Sequence, residues 1–440
     1  MLNAVDPGAT VRQPGLVLTD HFFDVPLDHA LPDGEHIQLY AREVVAADQY
    51  AHRATLPWLL YLQGGPGCAA DRPVGRSGWL DRALDEYRVL LLDQRGTGRS
   101  TPATRQTLPL RGTAAEQAAY LSHFRADAIV RDCEAIRPRL TGGEPWTVLG
   151  QSFGGFCALT YLSYAPDGLA TALIAGGLAS LDADADTVYR AAYPRMEHKT
   201  LAHYARYPGD AEAAARIVDH LATCDEVLPD GTVLTPEVFQ QLGILLGSGD
   251  GSHRLHYLLE NAFVPTVAGP RLSDEFGDHA AALLSRTANP LYALLHESIY
   301  AQDGRPTNWS AHRVRAEFPR FDAAKAVADN NPVLFTGETV HPWMVDALPA
   351  LRPLRETADL LAARTGWGPL YDPEQLARNT VPVAAVIYHD DLFVETEHAL
   401  RTARTVQGLR PWVTNEYEHD GVRARGRVVL DTLLRMARDA

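Results

Sequence analysis

The sequence predicts an α/β fold, a mostly parallel sheet flanked by helices and interrupted by one long helical insertion. Three observations predict it. Short apolar runs repeatedly end in glycine-rich turns and continue into helix-compatible sequence, the pattern of strand–turn–helix units. The middle of the chain changes to Ala, Leu and Arg at helical spacing. Strand character then returns near the C-terminus. The 440 residues are 46% hydrophobic and 22% charged, ample for a large core, which excludes disorder, collagen and coiled coil.

In chain order, HFFDVPLDHALPDGEHIQLYAREVV reads as extended segments around a turn at Pro32-Asp33-Gly34, an antiparallel edge to the main sheet. The buried strands come next: Trp58 to Leu62 before QGGPG, Val89 to Asp93 before QRGTGRS, Trp146 to Leu149 before GQSFGG, and Leu169 to Ala175 before a glycine pair. Each is too short for a core helix and is bounded by glycine, so strand is the better assignment. From Leu181 to Gln375 no further strand-and-turn unit is expected. Val383 to Tyr388 and Trp412 to Thr414 resume the sheet, and Val428 to Met436 closes the chain as an amphipathic helix. The expected organisation is therefore a core from residues 1–180 and 376–440, with residues 181–375 inserted as a helical cap.

Composition narrows the partners. Forty basic against 55 acidic residues leave a net charge of −15, which argues against nucleic acid and anionic membrane surfaces. No stretch approaches the roughly 20 apolar residues of a membrane span, and the N-terminus lacks a basic start followed by an apolar run, so a cytoplasmic location is expected. Cys68, Cys133, Cys157 and Cys224 are scattered without CxxC spacing, which suits reduced thiols and offers no zinc-type ligand set. The only lysines, Lys199 and Lys325, lie in no motif that would suggest Schiff-base chemistry.

Chemistry concentrates at Gly150-Gln151-Ser152-Phe153-Gly154-Gly155, between a buried strand and the helix-compatible FCALTYLSYA. A serine in a tight strand-to-helix turn needs small neighbours two residues to either side, and Gly150 and Gly154 supply that space. Its hydroxyl then stands clear at the sheet edge, near a helix N-terminus that favours developing negative charge. A serine hydroxyl is a weak nucleophile until a base takes its proton and a carboxylate holds that base in the right tautomer. Both partners are expected downstream, in the order serine, acid, histidine. His389-Asp390-Asp391 follows the strand VAAVIY, and Glu418-His419-Asp420-Gly421 follows PWVTN, which makes His419 the expected base. His389 abuts the acid directly and suits the role less, while adjacency alone leaves Asp390 and Asp391 both open. Gln63-Gly64-Gly65-Pro66-Gly67 supplies unobstructed backbone amides, so the amides of Gly65 and Phe153 are the expected oxyanion hole. Asp93-Gln94-Arg95-Gly96-Thr97-Gly98-Arg99-Ser100 lacks GxGxxG or GxxxxGK spacing and reads as a structural turn.

With QGGPG, DQRGTGRS, GQSFGG, HDD and EHDG in this order, the chain resembles the proline iminopeptidases of the α/β-hydrolase superfamily, closest to their long bacterial form. The resemblance spans nearly the whole chain. It implies a Ser152–His419–Asp391 triad, because the 28-position separation of Asp391 and His419 matches the family's acid-to-histidine separation. It also implies release of an N-terminal proline from peptides with a free N-terminus, no cofactor and no metal. A helical cap with acidic residues would hold the substrate amine, for which Glu297 and Glu338 are the candidates, each set among apolar residues. Trp343 or Tyr300 would line a proline-sized pocket. Gln63 departs from the family, where many members carry histidine before GGPG, and this bears on substrate detail. Rival readings are an esterase or tripeptidyl-type aminopeptidase with a differently shaped cap, and a catalytically silent binding protein on the same fold.

Overall fold

The computed structural model describes residues 7–439. Nine strands form one sheet: β1 (Pro7–Gln13), β2 (Leu16–Pro26), β3 (His36–Ala46), β4 (Trp58–Leu62), β5 (Arg88–Asp93), β6 (Trp146–Gln151), β7 (Leu169–Ala175), β8 (Val383–Tyr388) and β9 (Leu409–Thr414). Their spatial order is β1-β2-β3-β5-β4-β6-β7-β8-β9. The first three strands pair antiparallel, and β3 joins β5 antiparallel, with Tyr40 opposite Asp93. From β5 to β9 every pairing is parallel. The fold is thus the mostly parallel sheet expected, with the antiparallel edge where the Pro32-Asp33-Gly34 turn predicts it and β1 added outside that edge.

The helices that matter for the site are α1 (Gly78–Ala83), α2 (Ala126–Thr141), α3 (Phe153–Tyr164), α4 (Ala185–Arg206), α5 (Pro290–Leu295), α6 (Ser310–Arg315), α7 (Thr396–Thr405) and α8 (Gly421–Arg438). Alternation along β4 shows how the sheet is covered on both faces. Trp58, Leu60 and Leu62 pack with Ile129 and Cys133 of α2 and Phe156 of α3, whereas Leu59 and Tyr61 pack with Leu80 of α1 and Leu430 and Leu433 of α8. Helix α3 runs through the middle with Phe153 to Ser163 all buried, apolar on every side as a central helix must be.

Between β7 and β8 the chain is helical, but it also holds two short hairpins that sequence periodicity does not anticipate, Glu226–Val227 with Val233–Leu234 and Phe263–Val264 with Arg271–Leu272. Strands of two residues carry too little periodicity to register as a pattern. Among the described residues no helix is long and apolar enough to cross a membrane.

Candidate active site

The loops that leave the C-terminal ends of β4, β6, β8 and β9 meet at one edge of the sheet, the position where parallel α/β sheets bind ligands. Ser152 occupies the sharp turn from β6 into α3 with φ +53° and ψ −124°, a left-handed conformation that a serine adopts only where its surroundings enforce it. The enforcement is steric. A β-carbon at Gly154 would lie 1.9 Å from the Leu62 carbonyl oxygen, and one at Gly150 would lie 2.3 Å from the Gly154 oxygen. The turn is pinned by the Ser152 amide donating to Ala175 O at 2.9 Å and the Gly155 amide donating to Ser152 O at 2.7 Å.

The histidine and acid arrive from the far end of the sheet. His419 Nδ1–H donates to Asp391 Oδ2 at 2.7 Å, in a setting where Asp391 is 1% and His419 9% exposed. The other Asp391 oxygen accepts from the amides of Phe393 at 2.8 Å and Val394 at 3.1 Å, so the carboxylate cannot rotate away. Arg195 of α4 holds the Asp391 carbonyl at 3.1 Å, and the His419 amide donates to Gly247 O at 3.1 Å, tying both loops to the helical insertion. The Phe393 ring meets the imidazole edge-on at 5.0 Å. Burial disfavours the imidazolium, yet Asp391, then Glu338 and Asp420, outweigh it and lift the His419 pKa above its ordinary value. The His419 ring and the Ser152 backbone lie against the same glycine turn: a β-carbon on Gly176 would stand 3.2 Å from His419 Nδ1, and one on Gly177 would stand 2.4 Å from the Ser152 carbonyl oxygen.

Asp390, which adjacency alone leaves open and the resemblance passes over in favour of Asp391, points outward and pairs with the exposed His389 at 3.0 Å. The Gln63-Gly64-Gly65-Pro66-Gly67 loop lies against the serine, since a β-carbon on Gly64 would come within 3.0 Å of Ser152 Cβ. Among the described residues neither the Gly65 nor the Phe153 amide is spent on an acceptor. Asp93 secures this loop's continuation by accepting from the Ala70 amide at 3.2 Å and Arg72 Nη1 at 2.9 Å. The DQRGTGRS turn is thereby structural, as its spacing indicates; Arg95 within it is buried against Asp132, Nε to Oδ2 at 2.7 Å.

This constellation can be set beside known proteins. The alpha/beta hydrolase fold family model matches residues 57–226. A proline iminopeptidase of Aeromonas sobria is 48% identical over 97% of this chain and 97% of its own length. This chain belongs to the proline iminopeptidase family. A second family member, from Aspergillus aculeatus, is 36% identical over 97% of this chain and 95% of its own.

Within this proline iminopeptidase-family chain the two glutamates of the insertion part company. Glu338 is half-buried, accepts from the Tyr292 hydroxyl at 2.8 Å, and its field reaches His419. Glu297, expected beside it, instead spends its oxygens on the amides of Ser310 and Ala311, both at 2.9 Å, and so caps α6. The physical reason is helical phase. Tyr292, His296 and Tyr300 recur every fourth residue and share a face, with ring centroids 4.9 Å and 6.4 Å apart, and Glu297 lies one residue off it. Burial keeps His296 below its ordinary pKa although Glu338 pulls the other way, and burial with Glu338 and Asp391 nearby pushes the Tyr300 hydroxyl far up. Tyr300 also meets Phe156 edge-on at 5.8 Å, at the start of α3. Trp343, the other proposed pocket residue, stacks on the buried His341 at 4.8 Å.

Sequence reasoning does not reach Tyr292 and Lys199. The four-residue recurrence in LYALLHESIY is the available signal for Tyr292. Lys199 of α4 donates to both oxygens of Glu418, each at 2.6 Å, and anchors the residue before His419; nothing in its local sequence announces that contact across the fold.

Proposed function

We propose that this chain is a serine exopeptidase that releases an N-terminal proline from peptides. The observation that carries the reading is the Asp391–His419 hydrogen bond beside a serine held at positive φ, in a chain 48% identical to a proline iminopeptidase. With Nδ1–H committed to Asp391, the neutral ring has Nε2 free to take the Ser152 proton. Ser152 Oγ then attacks the carbonyl of the first residue, and the Gly65 and Phe153 amides meet the developing oxyanion. As the tetrahedral intermediate collapses, the imidazolium gives its proton to the departing amine, leaving a prolyl ester on Ser152. Water, deprotonated by the same ring, hydrolyses that ester and frees proline.

Glu338 fits the role of amine holder. A carboxylate beside a cationic amine recovers part of its own desolvation cost, and it restricts cleavage to the first residue because an internal proline has no charged nitrogen. Residues 181–375 act as the cap that brings Glu338, Tyr292 and Tyr300 over the serine. Four free cysteines suit work in the cytoplasm.

The test compares kcat/KM on prolyl, alanyl and N-acetyl-prolyl p-nitroanilides and on a short acyl ester. A preference for the prolyl compound that N-acetylation abolishes by about a hundredfold supports the assignment. A preference for the ester, indifferent to the free amine, overturns it in favour of an esterase.

A further inference from the structure

A cleft of about 520 Å³ opens beside the triad, and His419 and Phe393 form part of its wall. Glu338 does not line it, although its field reaches His419. Accepting the peptidase reading above, the amine holder therefore stands outside this cleft, while His419 borders it. A general acid must stand next to the group it protonates, so the chain that departs has to run past His419.

The other lining residues suit such an occupant. Tyr61 and Trp79 stack with centroids 4.3 Å apart and planes 24° from parallel, and the half-buried Trp79 offers an apolar surface to the cleft. Gln63 also lines it, although its side-chain oxygen is buried. Charge on the lining is neutralised pairwise with one exception. Arg72 is bound to Asp93, and Arg423 donates to Asp420 at 2.6 Å. Asp71 is exposed and makes no ion pair or hydrogen bond among the described residues.

We propose that this cleft is the leaving-chain subsite: it takes the residues after the N-terminal proline, favouring an apolar or aromatic side chain against Trp79 and a cationic over an anionic one beside Asp71. Specificity then has two sources, Glu338 for the first residue and Trp79 and Asp71 for the second and third.

The experiment measures kcat/KM on prolinamide, whose leaving group has no side chain, and on Pro-Phe-Lys, Pro-Gly-Lys and Pro-Phe-Glu amides, for the wild type, Trp79→Ala and Asp71→Lys. In the wild type Phe exceeds Gly at the second position by about tenfold, and Lys exceeds Glu at the third by about fivefold. Trp79→Ala collapses the first ratio and Asp71→Lys inverts the second. Because Asp71 is exposed on a loop, its variant carries the test even if Trp79→Ala folds poorly. Equal kcat/KM across the three peptides in the wild type, or variants that lower prolinamide and peptides by one common factor, would overturn the subsite. Failure of the wild type on prolinamide and every peptide would instead bring down the peptidase reading beneath it.

Discussion

Replacing Asp391 by Asn separates the triad from a mere cluster of polar residues. Its Oδ1 accepts from the Phe393 and Val394 amides, a duty the Asn oxygen can keep, so the loop should hold its shape. Oδ2 accepts from His419 Nδ1–H at 2.7 Å, and there the Asn amide is a donor. To avoid two donors facing each other, the ring must carry its proton on Nε2, which is then unable to accept from Ser152. The cost is the whole of general-base assistance, about 10³ to 10⁴ in kcat, or roughly 4 to 5.5 kcal/mol of transition-state stabilisation. The assay is p-nitroaniline release from the prolyl anilide, with circular dichroism to show that the variant is folded. Asp390→Asn is the matched control: that carboxylate is exposed and, among the described residues, its hydrogen-bond partner is His389, so kcat should stay within about twofold. A folded Asp391→Asn enzyme that loses less than about tenfold, or an Asp390→Asn enzyme that loses as much, would refute the reasoning.

The lifted pKa of His419 fixes the direction of the pH profile: the ring must be neutral to act as a base, so kcat/KM falls as pH drops through an apparent pKa above the ordinary histidine value of about 6.5. A steeply active enzyme well below that pH would contradict it. Glu338→Gln should raise KM for prolyl substrates, lowering kcat/KM by about 10- to 100-fold, and should also move the acid limb downward because one source of the His419 shift is gone. Glu297→Gln tests the capping role; denaturant titration should show a loss of about 1 to 3 kcal/mol with KM little altered, whereas a KM effect as large as that of Glu338→Gln would return Glu297 to the substrate.

Much of this molecule is legible in the sequence because the rules that shape it are local. Trp58–Leu62 and Leu169–Ala175 are strands with the bounds their glycine turns mark, and GQSFGG announces a backbone so tight that a β-carbon at Gly154 would sit 1.9 Å from Leu62 O. The features that escape it depend on three dimensions. Asp390 and Asp391 differ by one residue in sequence but face opposite ways. The bonds to Phe393, Val394 and His419 show that Asp391, the residue the resemblance favours, looks inward. Glu297 has the apolar neighbours of a binding residue, yet helical phase turns it to α6 while Tyr292 faces Glu338. The two hairpins carry too few residues to be read, and β1, PGATVRQ, is an exposed edge that opens on Pro and Gly and lacks the apolar run that marks the buried strands.

Rapid quenching of a reaction with a prolyl ester or anilide, followed by intact-mass analysis and peptide mapping, bears on the covalent mechanism itself. A prolyl ester on Ser152 should accumulate early and disappear as proline is released. Proline release with the adduct on another residue, or with no adduct under conditions that show a burst, would contradict a Ser152 nucleophile.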